Sequence, residues 1–359
     1  MKMHFGAFHE GRTLIRMLLN VSKYLLALGL LAYVIHSNWL PGNENGLEAV
    51  WQKHLVEGKP IHLVFLFASI FLFFLGVCGT IIRWHLMMLA QDMGIGFWNT
   101  IRIGFIGFFF NTLLPGSVGG DLVKAAAVCK NQSRRSVAVT IILLDRAIAL
   151  WGLIFFSGAT GAIFLFAGYL GEGNGAAATK SIIKITLSFC GITGLGWFVL
   201  GWLPQWRVER FEGRLRKWVA GPAAEFWLTF WRYRCKPLVV MQSLLISWTG
   251  HICLTLSFYC AAQVLRDDQS IPNLLEHFLI VPLGLVIQAT PMFPGGAGIG
   301  EFGFGALYSW FGTDRAMGVL ASLVQRLVTW IIGISAYLVI IALPVPKNQP
   351  GTETSNAPS

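Results

Sequence analysis

Two short stretches hold the residues best suited to chemistry, and both lie inside otherwise apolar sequence. The first contains Asn111, Pro115, Gly116, Gly119, Gly120 and Asp121. The second runs from Pro291 and contains Pro294, Gly295, Gly296, Gly298 and Glu301. Asp121 precedes Arg146 by 25 residues, and Glu301 precedes Arg326 by the same 25. Asp145 stands directly before Arg146, as Gln325 stands before Arg326. An arginine inside an apolar helix costs a few kcal/mol or more, so it usually faces a cavity or a partner. One chemistry open to Arg146 and Arg326 is planar, bidentate binding of an anionic head group, above all a phosphate. The other is pairing with Asp121, Asp145 or Glu301 to tie helices together. The two are compatible if a substrate phosphate competes for the guanidinium. The glycines allow close approach of backbone or ligand, and helices starting after them would aim N–H groups at an anion. Tight packing alone is the alternative. Asn111 and Gln288 can satisfy backbone groups freed at a turn. Asp121 and Glu301 can cap helices, pair with the arginines or relay protons, with capping the default for Asp121. Together these positions, Gln325 included, form the candidate substrate-binding set.

Such residues need elements to position them, and the composition says where those elements lie. The chain has 359 residues, 55% hydrophobic and 12% charged, against about 25% charge in an average soluble domain. Several apolar runs reach the roughly 20 residues that a membrane-spanning helix requires. An all-α polytopic membrane protein follows, with little length left for a large soluble domain. The net charge of +10 is read as basic cytoplasmic loops rather than nucleic-acid binding, because those loops carry no nucleic-acid motif. The six cysteines form no CxxC pair, which argues against a disulfide framework or a zinc site. The histidines show no HxxxH pair, so no metal and no cofactor is expected. The tryptophans near span ends suit interfacial anchoring. The glycines after Pro294 follow no strand or βαβ unit, which weakens a nucleotide-loop reading.

In chain order, residues 1–12 read as a basic cytoplasmic N-terminus followed by an uncleaved first span at 13–37. Further spans are expected at 61–82, 181–203, 237–263 and 317–343. The block 137–170 is longer than a simple span and reads as a tilted or broken helix. The segment 204–236 holds eight arginines and lysines against three glutamates. Within it Val208, Phe211, Leu215 and Trp218 recur at helical spacing, which suits a helix lying on an anionic membrane surface. The tail 344–359 reads as disordered and cytoplasmic.

The positive-inside rule orients these spans. The basic N-terminus, 122–136 and 204–236 face the cytoplasm, while 38–60, 171–180 and 266–276 face outside. The run that ends in the first motif must then begin and finish on the cytoplasmic side. The block 277–312 must begin and finish outside. Both are read as re-entrant elements, since irregular backbone at membrane depth is tolerated where it is buried in protein or lines a wet cavity. The expectation is about six full transmembrane helices plus two oppositely oriented re-entrant elements. They form an inverted repeat with halves 61–170 and 237–343 inside a single domain, 13–343. Such repeats place the substrate site at the midplane between the halves.

The pattern of Asn111, Pro115, Gly116, Gly119, Gly120 and Asp121, then Asp145 and Arg146, then Pro294 to Glu301, resembles the flippase-like transmembrane domain of bacterial lysylphosphatidylglycerol synthases. The resemblance spans about residues 15–343. It implies a lipid translocase of the bacterial-type cytoplasmic (inner) membrane, with anionic lipids as partners. It also allows a lipid-modifying enzyme or glycosyltransferase as a companion. The soluble domain that makes the aminoacyl lipid in two-part synthases has no counterpart here, so a stand-alone transporter is expected rather than an enzyme. The lipid could equally be a phospholipid, an aminoacyl lipid or an isoprenoid or glycolipid intermediate. Two alternatives stay open: a membrane transferase using Asp121, Asp145 or Glu301 as base, and a non-catalytic subunit that presents lipid to a glycosyltransferase.

Overall fold

The computed structural model describes residues 21, 25, 28–39, 46–113, 119–130, 134–168, 174–200, 202–218, 221–266, 271–289 and 296–342. Every regular element among them is helical. They are α1 (Leu28–Ser37), α2 (Leu47–Trp51, continued by a π-helical turn to Val56), α3 (Leu63–Ala90), α4 (Phe97–Leu113), α5 (Gly119–Lys130), α6 (Arg135–Phe166) and α7 (Asn174–Leu200). The chain continues through α8 (Gln205–Trp218), α9 (Gly221–Arg234), α10 (Pro237–Gln263), α11 (Leu274–Gln288), α12 (Ile299–Trp310) and α13 (Arg315–Ala342).

Five of these helices, α3, α6, α7, α10 and α13, are long and apolar enough to cross a membrane. The chain is thus a multi-pass membrane protein. A further span at 13–37 lies largely outside the described residues, where α1 supplies a shorter apolar helix. Outward faces carry what lipid prefers: Phe67 and Phe71 on α3, Ile192 and Leu195 on α7, Leu327 and Leu338 on α13 are all exposed.

Three details correct or narrow the sequence reading. The second span does not stop at 82 but runs to Ala90, because Arg83 finds a buried partner instead of water. The 137–170 block is one unbroken helix of 32 residues. At 1.5 Å per residue it is about 48 Å long, well over the roughly 30 Å hydrocarbon core, so it must tilt or protrude. The segment 204–236 is two packed helices. Val208 is buried beneath α9, where Trp227 donates to its carbonyl at 3.4 Å and packs edge-on to Phe211. Part of the apolar stripe of α8 is therefore spent on α9 rather than on lipid.

The centre is an antiparallel pair, α3 against α10. At one end Lys236 and Tyr233 donate to the carbonyls of Ala90 and Met87, and Arg134 reaches the carbonyl of Gln91. At the other end His62 donates to the carbonyl of Val264. Two helical hairpins flank this pair. The legs α4 and α5 meet with Gly107 against Gly120, and both free ends lie at the Ala90 end of α3: His85 bonds Thr100 at 3.0 Å, and Val128 packs with Trp84 and Met87. The legs α11 and α12 meet with Gly284 against Phe304. Their free ends lie at the Val264 end, joined by His277 and Tyr308 at 2.7 Å and packed on Phe258 and Ala262. The helix contacts match on exchange of the two groups: α4 packs on α13 and α11 on α6, while α3 and α10 each touch both α6 and α13. At about 18–26 Å, no hairpin leg matches the hydrocarbon thickness.

Candidate functional site

The first hairpin needs small residues where its legs touch. A Cβ on Gly120 would collide with the carbonyl of Gly107, and the Gly120 N–H is taken up by the Asn111 side-chain oxygen at 2.7 Å. Gly119 and Gly120 are buried at the start of α5, and Asp121 occupies the first turn, where its charge suits the helix dipole. Asp121 also accepts from Arg146 at 3.0 Å, with Lys124 at 3.8 Å on its other oxygen. Lys124 lies over the Trp84 ring. One carboxylate thus meets two cations here.

At the second hairpin Gly296 and Gly298 both have positive φ, 68° and 83°. This left-handed backbone favours glycine and turns the chain into α12. Glu301, with none of its side chain exposed, accepts from the Gly298 N–H at 2.7 Å and from Arg326 Nε at 2.7 Å. One carboxylate therefore caps a helix and neutralises an arginine at once. Gln288 packs against Gly296 and Gly300 from the facing leg. Pro115, Gly116, Pro294 and Gly295 lie outside the described residues.

Asp145 does not join its neighbour Arg146. It accepts two bonds from Arg83 of α3, at 2.7 and 3.2 Å, and Arg83 also donates to Ser247 of α10 at 2.5 Å. Gln325 holds the corresponding place on α13. It accepts from Ser257 of α10 at 3.1 Å, and Ser257 also bonds Ser69 of α3. Each half therefore bonds the central pair through a buried polar triad, one charged and one neutral. Arg83 lies one residue past the expected end of the 61–82 span, where a basic residue is ordinary, so its type and position alone do not single it out. Two serines spaced among apolar residues carry no distinctive signal.

A cavity of about 250 Å³ opens between the two halves. Phe73 of α3 and Thr112 at the tip of α4 line it on one side. Gln288 of α11, Phe304 of α12, and Ser322, Gln325 and Arg326 of α13 line it on the other. Arg326 and Gln325 thus belong to the cavity, whereas Asp121 and Arg146 are not among its lining residues and sit at the junction of α5 and α6. An apolar groove of about 810 Å³ runs along the same helices, lined by Ile70 and Phe74 of α3, Phe105 of α4, and Ile331 and Val339 of α13. A chamber that sets Arg326, Gln288, Gln325 and Ser322 among apolar residues, beside an apolar slot, can hold a head group and a chain together.

Outside the spans, burial raises the Tyr233 hydroxyl above its ordinary pKa, and the Asp145 carboxylate adds to the effect. Tyr233 stays a neutral donor to Met87 and fixes α9 to α3.

A family profile described as the lysylphosphatidylglycerol synthase TM region matches residues 47–336. No curated protein and no solved structure matches the chain.

Proposed function

Because the chain belongs to the lysylphosphatidylglycerol synthase TM-region family, whose setting is membrane lipid, we propose that it is a lipid translocase. In this reading the hairpins α4–α5 and α11–α12 are re-entrant elements of an inverted repeat, entering from opposite faces. Their free ends at opposite ends of the central pair support this, as does the matched set of helix contacts. The basic end of the bundle faces the cytoplasm of an inner-type membrane.

The observation that carries the proposal is the cavity shared by both halves, with Arg326 held in its wall by a fully buried glutamate. An anionic head group, such as a phospholipid phosphate, enters this chamber while its chains stay in the apolar groove. Arg326 supplies the positive charge, and Gln288, Gln325 and Ser322 supply neutral hydrogen-bonding partners. The pair with Glu301 keeps the empty chamber neutral, and the five N–H groups of the guanidinium let Arg326 meet a phosphate without releasing its buried carboxylate partner. Asp121, Arg146 and Lys124 serve the opposite half, where their surplus positive charge attracts the same class of head group. Movement of one hairpin against the central pair alternates access.

Purified protein in liposomes carrying a fluorescent anionic phospholipid tests this directly. Translocation is expected to equalise the label between leaflets without covalent change. No movement above empty liposomes would refute the translocase reading. A new lipid species would turn it into a transferase.

A further inference from the structure

The basic end of the bundle has a second cavity, separate from the one between the halves. It encloses about 370 Å³ where the first turn of α6 meets α8 and α9. Arg134, Arg135, Arg216 and Arg232 line it, with Glu225 as the one acid. These side chains come from the start of α6 and from the consecutive pair α8 and α9 much further along the chain, so their convergence is a product of the fold.

Much of this charge has no local explanation. Arg216 sits in the last turn of α8, where a cation suits the helix dipole, and it is bonded to Glu212 at 2.7 Å. Arg232 likewise falls in the last turn of α9. Arg134 and Arg135 are different. They stand at the start of α6, the positive end of a 32-residue helix, where cations are disfavoured. That helix start has no acid in its first turn and no side-chain cap. Arg134 is fixed by its bond to the Gln91 carbonyl at 3.2 Å. Among the described residues Arg135 and Arg232 have no ion-pair partner, and the acids nearby do not balance the four arginines. A chamber with this surplus is repulsive when empty and complementary to a multiply charged anion. Arginine forks from several directions match the oxygens of a phosphate.

We propose that this cavity is a phosphate-binding site, independent of the cavity between the halves. Its ligand carries a phosphate group, presented either by a lipid head group at the surface or by a soluble phosphate ester. The position favours the membrane: exposed Trp202 and Trp206 lie at the start of α8, as interfacial anchors do.

The test uses the full chain in nanodiscs of neutral phosphatidylcholine. In one arm glycerol phosphate is titrated, and in the other phosphatidic acid is added to the disc. Thermal stabilisation of the protein reports binding. A shift in either arm is expected, and the arm that responds identifies the source. Arg135→Gln with Arg232→Gln should weaken that response about tenfold or more. Arg214→Gln with Lys217→Gln removes the same charge outside the cavity and should leave it unchanged. Both variants are exposed replacements, and melting without ligand checks that each is folded. No shift in either arm, or equal loss in both variants, overturns the site in favour of diffuse attraction. Lipid movement between leaflets is not measured here, so failure of this site and failure of the translocase reading remain distinct.

Discussion

Replacing Arg326 by Gln removes the cation from the cavity wall and also strips a buried carboxylate of its partner. Glu301 is fully buried, and its two bonds come from Arg326 and the Gly298 N–H. Breaking one side of such a pair costs about 3–5 kcal/mol, since the remaining charge is left in a low-dielectric interior. Loss of transport in this variant alone would therefore say nothing about binding. The double variant Glu301→Gln with Arg326→Gln separates the two effects. A neutral amide at 301 can still accept from Gly298, so stability should return to within about 1 kcal/mol of the parent. Transport should stay about tenfold to a hundredfold lower in both variants, the value of the charge-assisted phosphate bonds that are gone. Arg146→Gln offers a contrast. Its side chain is 31% exposed, so its loss should cost at most about 1 kcal/mol. Chemical unfolding in detergent gives the stabilities, and the liposome assay gives the rates. Wild-type transport by the stable double variant would refute the argument and leave Arg326 as a helix tie.

Two further outcomes follow from the packing. Gly120→Ala drives a methyl group into the Gly107 carbonyl, so it should destabilise the first hairpin by about 1–3 kcal/mol; unchanged unfolding would mean the legs do not meet there. Cys235 is exposed in the turn before α10, at the basic end of the bundle. An impermeant maleimide applied to intact cells should label it only after permeabilisation, and labelling from outside would reverse the proposed orientation.

Much of the architecture is written in one dimension. Apolar runs of bilayer length, with few charges, specify spanning helices before any packing is known, because no other open structure satisfies its backbone in lipid. The pairs of Asp121 with Arg146 and Glu301 with Arg326 were visible as equal spacings. Each acid opens a short helix whose neighbour carries the arginine, so the distance along the chain fixes the distance in space. Gly120, Gly296 and Gly298 were marked as close-approach positions by their clustering. The partners they approach are distant in the chain: Gly107 and Gln288 on the opposite legs for Gly120 and Gly296, and Leu30 of α1 for Gly298.

Only the tertiary structure decided the rest. Asp145 and Arg146 are adjacent in sequence yet point to different helices, because successive residues are turned by about 100° around a helix axis. Asp145 therefore faces Arg83, and Arg146 faces Asp121. The same rotation puts Gln325 on the Ser257 triad and Arg326 on Glu301. The cavity between the halves joins α3 and α4 to α10, α11, α12 and α13, and the arginine chamber joins α6, α8 and α9. Spacing along a chain reports which face of a helix a residue occupies. Which other helix covers that face depends on how distant segments pack, and local sequence carries no record of it.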